Sequence, residues 1–156
     1  MSITIILAFL LAHPSNHCGM ANARTVAKAA MKAGQRYDVP PSLLTSVVIA
    51  ETGCRNVVVT GVGKGRRGCD VGFGQIHVPE CEPSRVARML DPYRNLKTAA
   101  YILDRSRARC SKKPAPRACK YSQWSLYNPG STRWFTKVNR IWKTFKLFKR
   151  DKPETS

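Results

Sequence analysis

The stretch "PPSLLTSVVIAETGCRN" (residues 40–56) is an apolar run that closes on a glutamate, Glu51, in a chain with 27 Lys and Arg but only 9 Asp and Glu. Pro41 suits the first turn of a helix. The pattern predicts one that runs to about Thr52, before Gly53. Leu44, Val47, Val48 and Glu51 then fall at i, i+3, i+4 and i+7, which puts the carboxylate on the same face as three apolar side chains. An acid at the edge of such a face is partly desolvated, and its pKa rises. A raised pKa is what a general acid needs near neutral pH. Spacing alone fits a buried Glu paired with an arginine, or a frayed helix end, at least as well.

Working outward, 156 residues suffice for one domain with a real core. The formal net charge of +18 predicts a polyanionic partner or surface: nucleic acid, anionic lipid or an acidic wall polymer. Residues 1–23 hold no Asp, Glu, Lys or Arg. "ITIILAFLLA" (3–12) has signal-peptide length, and "ANA" (21–23) offers a small-x-small cleavage pattern before Arg24. We read residues 1–23 as a secretory signal, although no basic residue precedes the apolar block. An uncleaved membrane anchor through 3–12, or translation starting at Met20, are the alternatives.

Cleavage after Ala23 would remove Cys18 and leave five cysteines. Disulfides are the default for an exported chain of this size. Cys110 and Cys119 bracket the Pro-rich basic loop "SKKPAPRA" and are the expected pair. Cys54, Cys69 and Cys81 compete for a second bond. Zinc is the weaker reading, because there is no C-x-x-C pair and His77 stands alone.

Residues 24–36 predict a first helix, with Val26, Ala30 and Ala33 at helical spacing. Residues 54–75, rich in Gly and Val, read as short strands, turns and an exposed basic loop. Asp91 and Pro92 open a further helix, with Leu96, Ala99, Ala100 and Leu103 as its apolar stripe. The last helix covers about 132–147. There Val138, Ile141, Trp142 and Phe145 face inward, while Arg133, Lys137, Arg140, Lys143 and Lys146 form a basic outer face. The expectation is an α+β, mostly helical single domain over residues 24–147, with a small β or irregular insertion after the Glu51 helix. Residues 148–156 are expected to be a disordered basic tail.

Four pieces in order carry more than any one of them: the helix ending in Glu51-Thr52, "DVGFGQIHV" (70–78), "NLKTAAYIL" (95–103) and "YNPGS" (127–131). Together, over residues 35–142, they resemble the transglycosylase SLT family of the lysozyme-like superfamily, which also holds goose-type lysozyme. The resemblance implies a lysozyme-like fold with Glu51 as acid/base. It implies that Gly72, Phe73, Gly74 and Gln75 form the groove turn, that Tyr127 packs beside the carboxyl group, and that Asn128 lines the groove. Thr52, which replaces the family's serine, is counted with Gly72, Phe73, Gln75, Tyr127 and Asn128 as substrate-binding; Gly74 replaces the usual methionine, and Pro129 a small residue.

What the resemblance implies chemically is cleavage of the MurNAc–GlcNAc β-1,4 bond of peptidoglycan by lytic transglycosylation, with no metal or organic cofactor. A lytic transglycosylase needs one glutamate, whereas most glycosidases pair two carboxylates. Asp70 is the candidate second carboxylate of a hydrolytic lysozyme. Its plainer reading, which we favour, is a turn residue or a partner for Arg66 or Arg67. Trp124 is the best-placed sugar platform of the three tryptophans. The implied partners are peptidoglycan glycan strands and anionic wall polymers, in the setting of secretion, conjugation or phage assembly. No specific nucleic acid is implied, and the chain is expected to be a monomer that is periplasmic, secreted or virion-associated. A non-catalytic basic module binding wall polymer, nucleic acid or membrane is the third reading.

Overall fold

The structure is a computed structural model. It describes residues 1–14, 17–60, 67–112, 114, 119, 123–124, 127–128 and 131–151, with backbone only at 150 and 151. Its elements run α1 (Ile3–Ala12), α2 (Met20–Tyr37), α3 (Pro41–Thr52), β1 (Val58–Thr60), β2 (Cys69–Val71), β3 (Ile76–Val78), α4 (Pro83–Leu90), α5 (Pro92–Cys110) and α6 (Thr132–Asp151). A single 3-10 turn, Pro79–Cys81, links β3 to α4. The described chain is thus mostly helical with a small antiparallel sheet of order β1-β2-β3.

The predicted helix 41–52 is α3, with Pro41 in its first turn and Gly53 in the left-handed conformation (φ 58°) closing it. One premise is corrected. Residues 42–50 are all buried, so α3 has no solvent face for Glu51 to avoid. Its small polar residues survive burial by bonding back one turn: Ser46 Oγ donates to the Ser42 carbonyl at 2.8 Å and Thr45 Oγ1 to that of Pro41 at 2.9 Å. α3 is the central element, packed by α2 and α5 and crossed by α6. Ala23, Ala27 and Ala30 of α2 are fully buried, and such small side chains let helices approach closely.

Ends and insertions depart from the sequence reading. The first helix begins at Met20, so residues 21–23 lie inside α2 with Ala23 buried. Residues 3–12 form α1, whose Ile5, Ile6, Phe9 and Leu10 join the main core. Phe9 meets Phe145 edge-on at 4.6 Å and Phe148 at 5.6 Å. No helix among the described residues is long and apolar enough to cross a membrane. The last helix continues to Asp151. Residues 148–151 are therefore helical rather than tail, because Phe148 still reaches the core; 152–156 lie outside the described residues. The eight-residue α4 has no counterpart in the sequence reading. Its signals are compact: Glu82 caps it by accepting from the Ser84 and Arg85 N–H groups, and Pro83 opens it.

Cys110 pairs with Cys119 as expected, with Cα atoms 5.4 Å apart. Cys54, however, pairs with Cys18 (Cα–Cα 5.0 Å), leaving Cys69 and Cys81 as free thiols. Elimination failed because it removed Cys18 first.

One buried amide joins the sheet to the helices. Asn95, in the first turn of α5 after the Asp91 cap, is fully buried. Its Oδ1 accepts from the Gly74 N–H at 2.8 Å, and its Nδ2 donates to the carbonyls of Val71 (2.8 Å) and Met89 (2.9 Å). Gly72, at φ 76°, must be glycine, since a Cβ there would stand 2.3 Å from Asn95 Nδ2. Truncation by Asn95→Ala strands three buried polar groups at roughly 1–3 kcal/mol each, partly relieved by water. The expected loss is about 3 kcal/mol in urea unfolding. The midpoint temperature should fall by about 6–12 °C, with Asn95→Asp also destabilising because it cannot donate.

Candidate active site

Glu51 sits in the last turn of α3, largely buried yet still partly exposed. Three neighbours define it. Trp134, from the first turn of α6, donates its indole N–H to Glu51 Oε1 at 2.5 Å. Tyr127 stacks flat on Trp134, with centroids 5.2 Å apart and planes 7° apart. Lys137, one turn on from Trp134, donates from Nζ to the Ala50 carbonyl, which keeps a positive charge close to the carboxyl group.

Burial pushes the Glu51 pKa up to about 7. The Trp134 hydrogen bond and the Lys137 charge oppose that rise, and the Asp70 charge adds to it. Tyr127 is also pushed well above its ordinary value, by burial first and then by the Glu51 and Asp70 charges. Its phenol therefore stays protonated, and it donates to the Gly74 carbonyl at 2.6 Å. This bond ties the 72–75 turn to the residues beside Glu51.

The structure gathers some expected residues and disperses others. Glu51, Tyr127 and Asp70 share one electrostatic neighbourhood. Arg66 lies outside the described residues; among them Asp70 has no arginine partner, and it is not a turn residue. It lies on β2, opposite His77 on β3, with Oδ1 3.0 Å from His77 Nδ1 and its side chain 16% exposed. Gln75 (φ 50°) bonds its own turn, from Nε2 to the Gly72 carbonyl at 2.9 Å and to that of Val57 at 3.4 Å. Its amide donor is thereby committed internally, while the side chain keeps partial exposure. Asn128 is exposed, and its carbonyl accepts from Ser131.

Three assignments to substrate contact are corrected. The Phe73 side chain is core, 1% exposed. Thr52 is buried, and its hydroxyl bonds the Val48 and Phe73 carbonyls, so it braces the turn from behind. Gly72 is buried and serves the close approach of Asn95. Trp124 is likewise in the core at 6% exposure, which removes it as a sugar platform. At Gly74 a Cβ would lie 3.1 Å from the Tyr127 hydroxyl and 3.2 Å from Asn95 Oδ1, so this turn closes on itself where a methionine would form a wall. Pro129 lies outside the described residues.

The sequence reading counts Trp134 only among three tryptophans that could stack on sugars and does not foresee its bond to Glu51. Its position could have been found: Val138, Ile141 and Phe145 define the buried face of α6, and Trp134 lies four residues before Val138. Its indole N–H then needs an acceptor inside. Among the described residues no three His, Cys, Asp or Glu side chains gather as a metal ion would need. No family model, curated protein or solved structure matches the chain.

The sign of the Glu51 shift sets a pH test. Its folded pKa lies above the unfolded value, so ionisation favours the unfolded chain, and stability falls as pH rises from about 4.5 through about 7. Glu51→Gln cannot ionise and keeps an oxygen for Trp134. At 1.36 kcal/mol per pKa unit, the variant should gain about 3 kcal/mol over wild type on going from pH 4 to pH 8 in urea unfolding. A pH-independent difference would mean that the carboxyl group is not desolvated in solution.

Proposed function

We propose that the chain is a lysozyme-like peptidoglycan lytic transglycosylase cleaving the MurNAc–GlcNAc β-1,4 bond. The observation that carries this reading is a single carboxyl group poised near neutrality: Glu51, desolvated to a pKa of about 7 and aimed by the Trp134 N–H. A neutral Glu51 donates its proton to the glycosidic oxygen as the C1–O bond breaks. The resulting carboxylate, stabilised by the same indole N–H, takes the proton from the MurNAc 6-hydroxyl. O6 then closes on C1 to give the 1,6-anhydro ring, and no water is consumed. The acetamido group of the sugar stabilises the positive charge that develops at C1. The four motif pieces in family order support the same reading. The two disulfides fit a periplasmic or extracellular site of action.

The hydrolytic reading is favoured by one observation, the shielded Asp70 carboxylate held by His77 close enough for its charge to act on Glu51. A lysozyme would use it to orient water. Asp70→Asn should leave a transglycosylase nearly intact and cost a hydrolase most of its rate.

Mass spectrometry of soluble products from purified peptidoglycan decides between the two. Products one water lighter than ordinary muropeptides, absent with Glu51→Gln, are the expected result. Glutamate-dependent products with ordinary reducing ends would replace the transglycosylase by a lysozyme. No products from wild type would sink both readings. In the same assay Trp134→Phe keeps the stack on Tyr127 but removes the donor that lowers the Glu51 pKa. The alkaline limb of its pH–rate profile should move upward and its kcat should fall; an unmoved limb would deny Trp134 any hold on the carboxyl group.

A further inference from the structure

The outer face of α5 carries charges that the Glu51 site does not use. Leu96, Ala99, Ala100 and Leu103 take its inner face. Arg94, Lys97, Tyr101, Arg105 and Arg109 recur every three or four residues and so share the outer one. At 1.5 Å per residue this row is about 22 Å long. Two open hollows lie along it, of about 840 and 510 Å³, and Tyr101 lines both. They form one track, whose lining includes neither Glu51 nor Tyr127.

The cations of the track are unspent. Among the described residues none of Arg94, Lys97, Arg105 and Arg109 has a carboxylate within ion-pair distance. The acid of α5, Asp104, is engaged by Arg107 at 2.8 Å. Asp91, at the rim, uses Oδ1 to cap α5 through the Arg94 N–H at 2.7 Å. Four uncompensated cations in a row repel one another with no return inside the fold, and that pattern fits a linear polyanion.

The tyrosines narrow the ligand. Nucleic-acid tracks of this kind offer successive free ring faces for bases. Here Lys32 Nζ lies over the Tyr93 ring at 4.5 Å and the Arg36 guanidinium near the Tyr37 ring at 5.9 Å. Tyr37 also meets Tyr101 edge-on at 5.8 Å. Of the three tyrosines lining the first hollow, Tyr101 alone, 48% exposed, presents a large open surface. Charge without a succession of open rings suits a polymer of phosphodiesters that has no bases.

We propose that the outer face of α5 is an accessory binding track for a linear polyol-phosphate wall polymer, which holds the protein on the wall while Glu51 acts. The proposal rests on the wall-enzyme reading, but its test does not. Binding of purified poly(glycerol phosphate) is measured on the full-length Glu51→Gln protein, so catalysis plays no part and the muropeptide assay fails or succeeds independently. One variant adds Arg94→Gln, Lys97→Gln, Arg105→Gln and Arg109→Gln. A control of equal net charge adds Arg133→Gln, Arg140→Gln, Lys143→Gln and Lys149→Gln on α6, and circular dichroism confirms that both are folded.

The α5 variant should lose at least about ten-fold in affinity. Its slope of log K against log salt should flatten by on the order of three, taking about 0.7 per lost contact. The α6 control should stay within about two-fold. Equal losses in both variants would reduce the effect to bulk charge and overturn the track. A single-stranded oligonucleotide of equal charge that binds as tightly, with the same dependence on α5, would overturn the ligand class. Absence of binding by the Glu51→Gln parent at 50 mM salt (an assay condition of roughly 14 Å screening length) would overturn the proposal outright.

Discussion

A carboxyl group at the end of a wholly buried helix is the constraint from which the rest of the arrangement follows. α3 carries no solvent face, so Glu51 arrives in apolar surroundings and its ionised form is disfavoured. A single indole N–H and one nearby ammonium return part of what water would have supplied, without restoring an ordinary acid. Both come from the first two turns of α6, one turn apart. The packing of α6 across α3 is therefore also the tuning of the carboxyl group. Any shift of α6 would alter the acid as well as the core.

The 72–75 turn is held through its backbone by two side chains. Asn95 fixes Val71 and Gly74, and Tyr127 fixes Gly74 from the other side. Among the described residues the short sheet has little core of its own: Cys69, Val71 and Val78 with a few neighbours from the following turn and α4. It is tied to α5 by the Asn95 amide and to the main core by Phe73 and Ile76. Positive φ at Gly72 and Gln75 lets the turn fold tightly enough for both contacts.

Legibility in the sequence followed period and punctuation. The helices over 41–52 and from Asp91 onward were readable because proline, aspartate and apolar spacing agree there. The place of Glu51 was readable from the same spacing, although its reason was not. A helix buried on every side has no amphipathic signal, and Ser42, Thr45 and Ser46 disguise it as half polar. Motif letters located the 72–75 turn but misassigned its chemistry, since Phe73 and Thr52 point into the core and only the backbone faces their neighbours. The bond from Trp134 to Glu51 was not legible, because the polar end of an indole matters only when its acceptor is known. The strand pairing that sets Asp70 against His77 depends on a register that no local pattern specifies.

The bond between Cys18 and Cys54 encloses 36 residues, a span that includes all of α2 and α3. In chain-entropy terms such a closure restricts the unfolded state by about 4 kcal/mol. It also fastens Cys18 to a residue three positions past Glu51, reinforced by the His17 N–H on the Gly53 carbonyl. Proteolytic removal of residues 1–23 would take Cys18 with it and leave the Cys54 thiol without this partner beside the end of α3. Maturation and cross-linking at this point are mutually exclusive, so the length of the polypeptide and the anchorage of its acid are one choice rather than two.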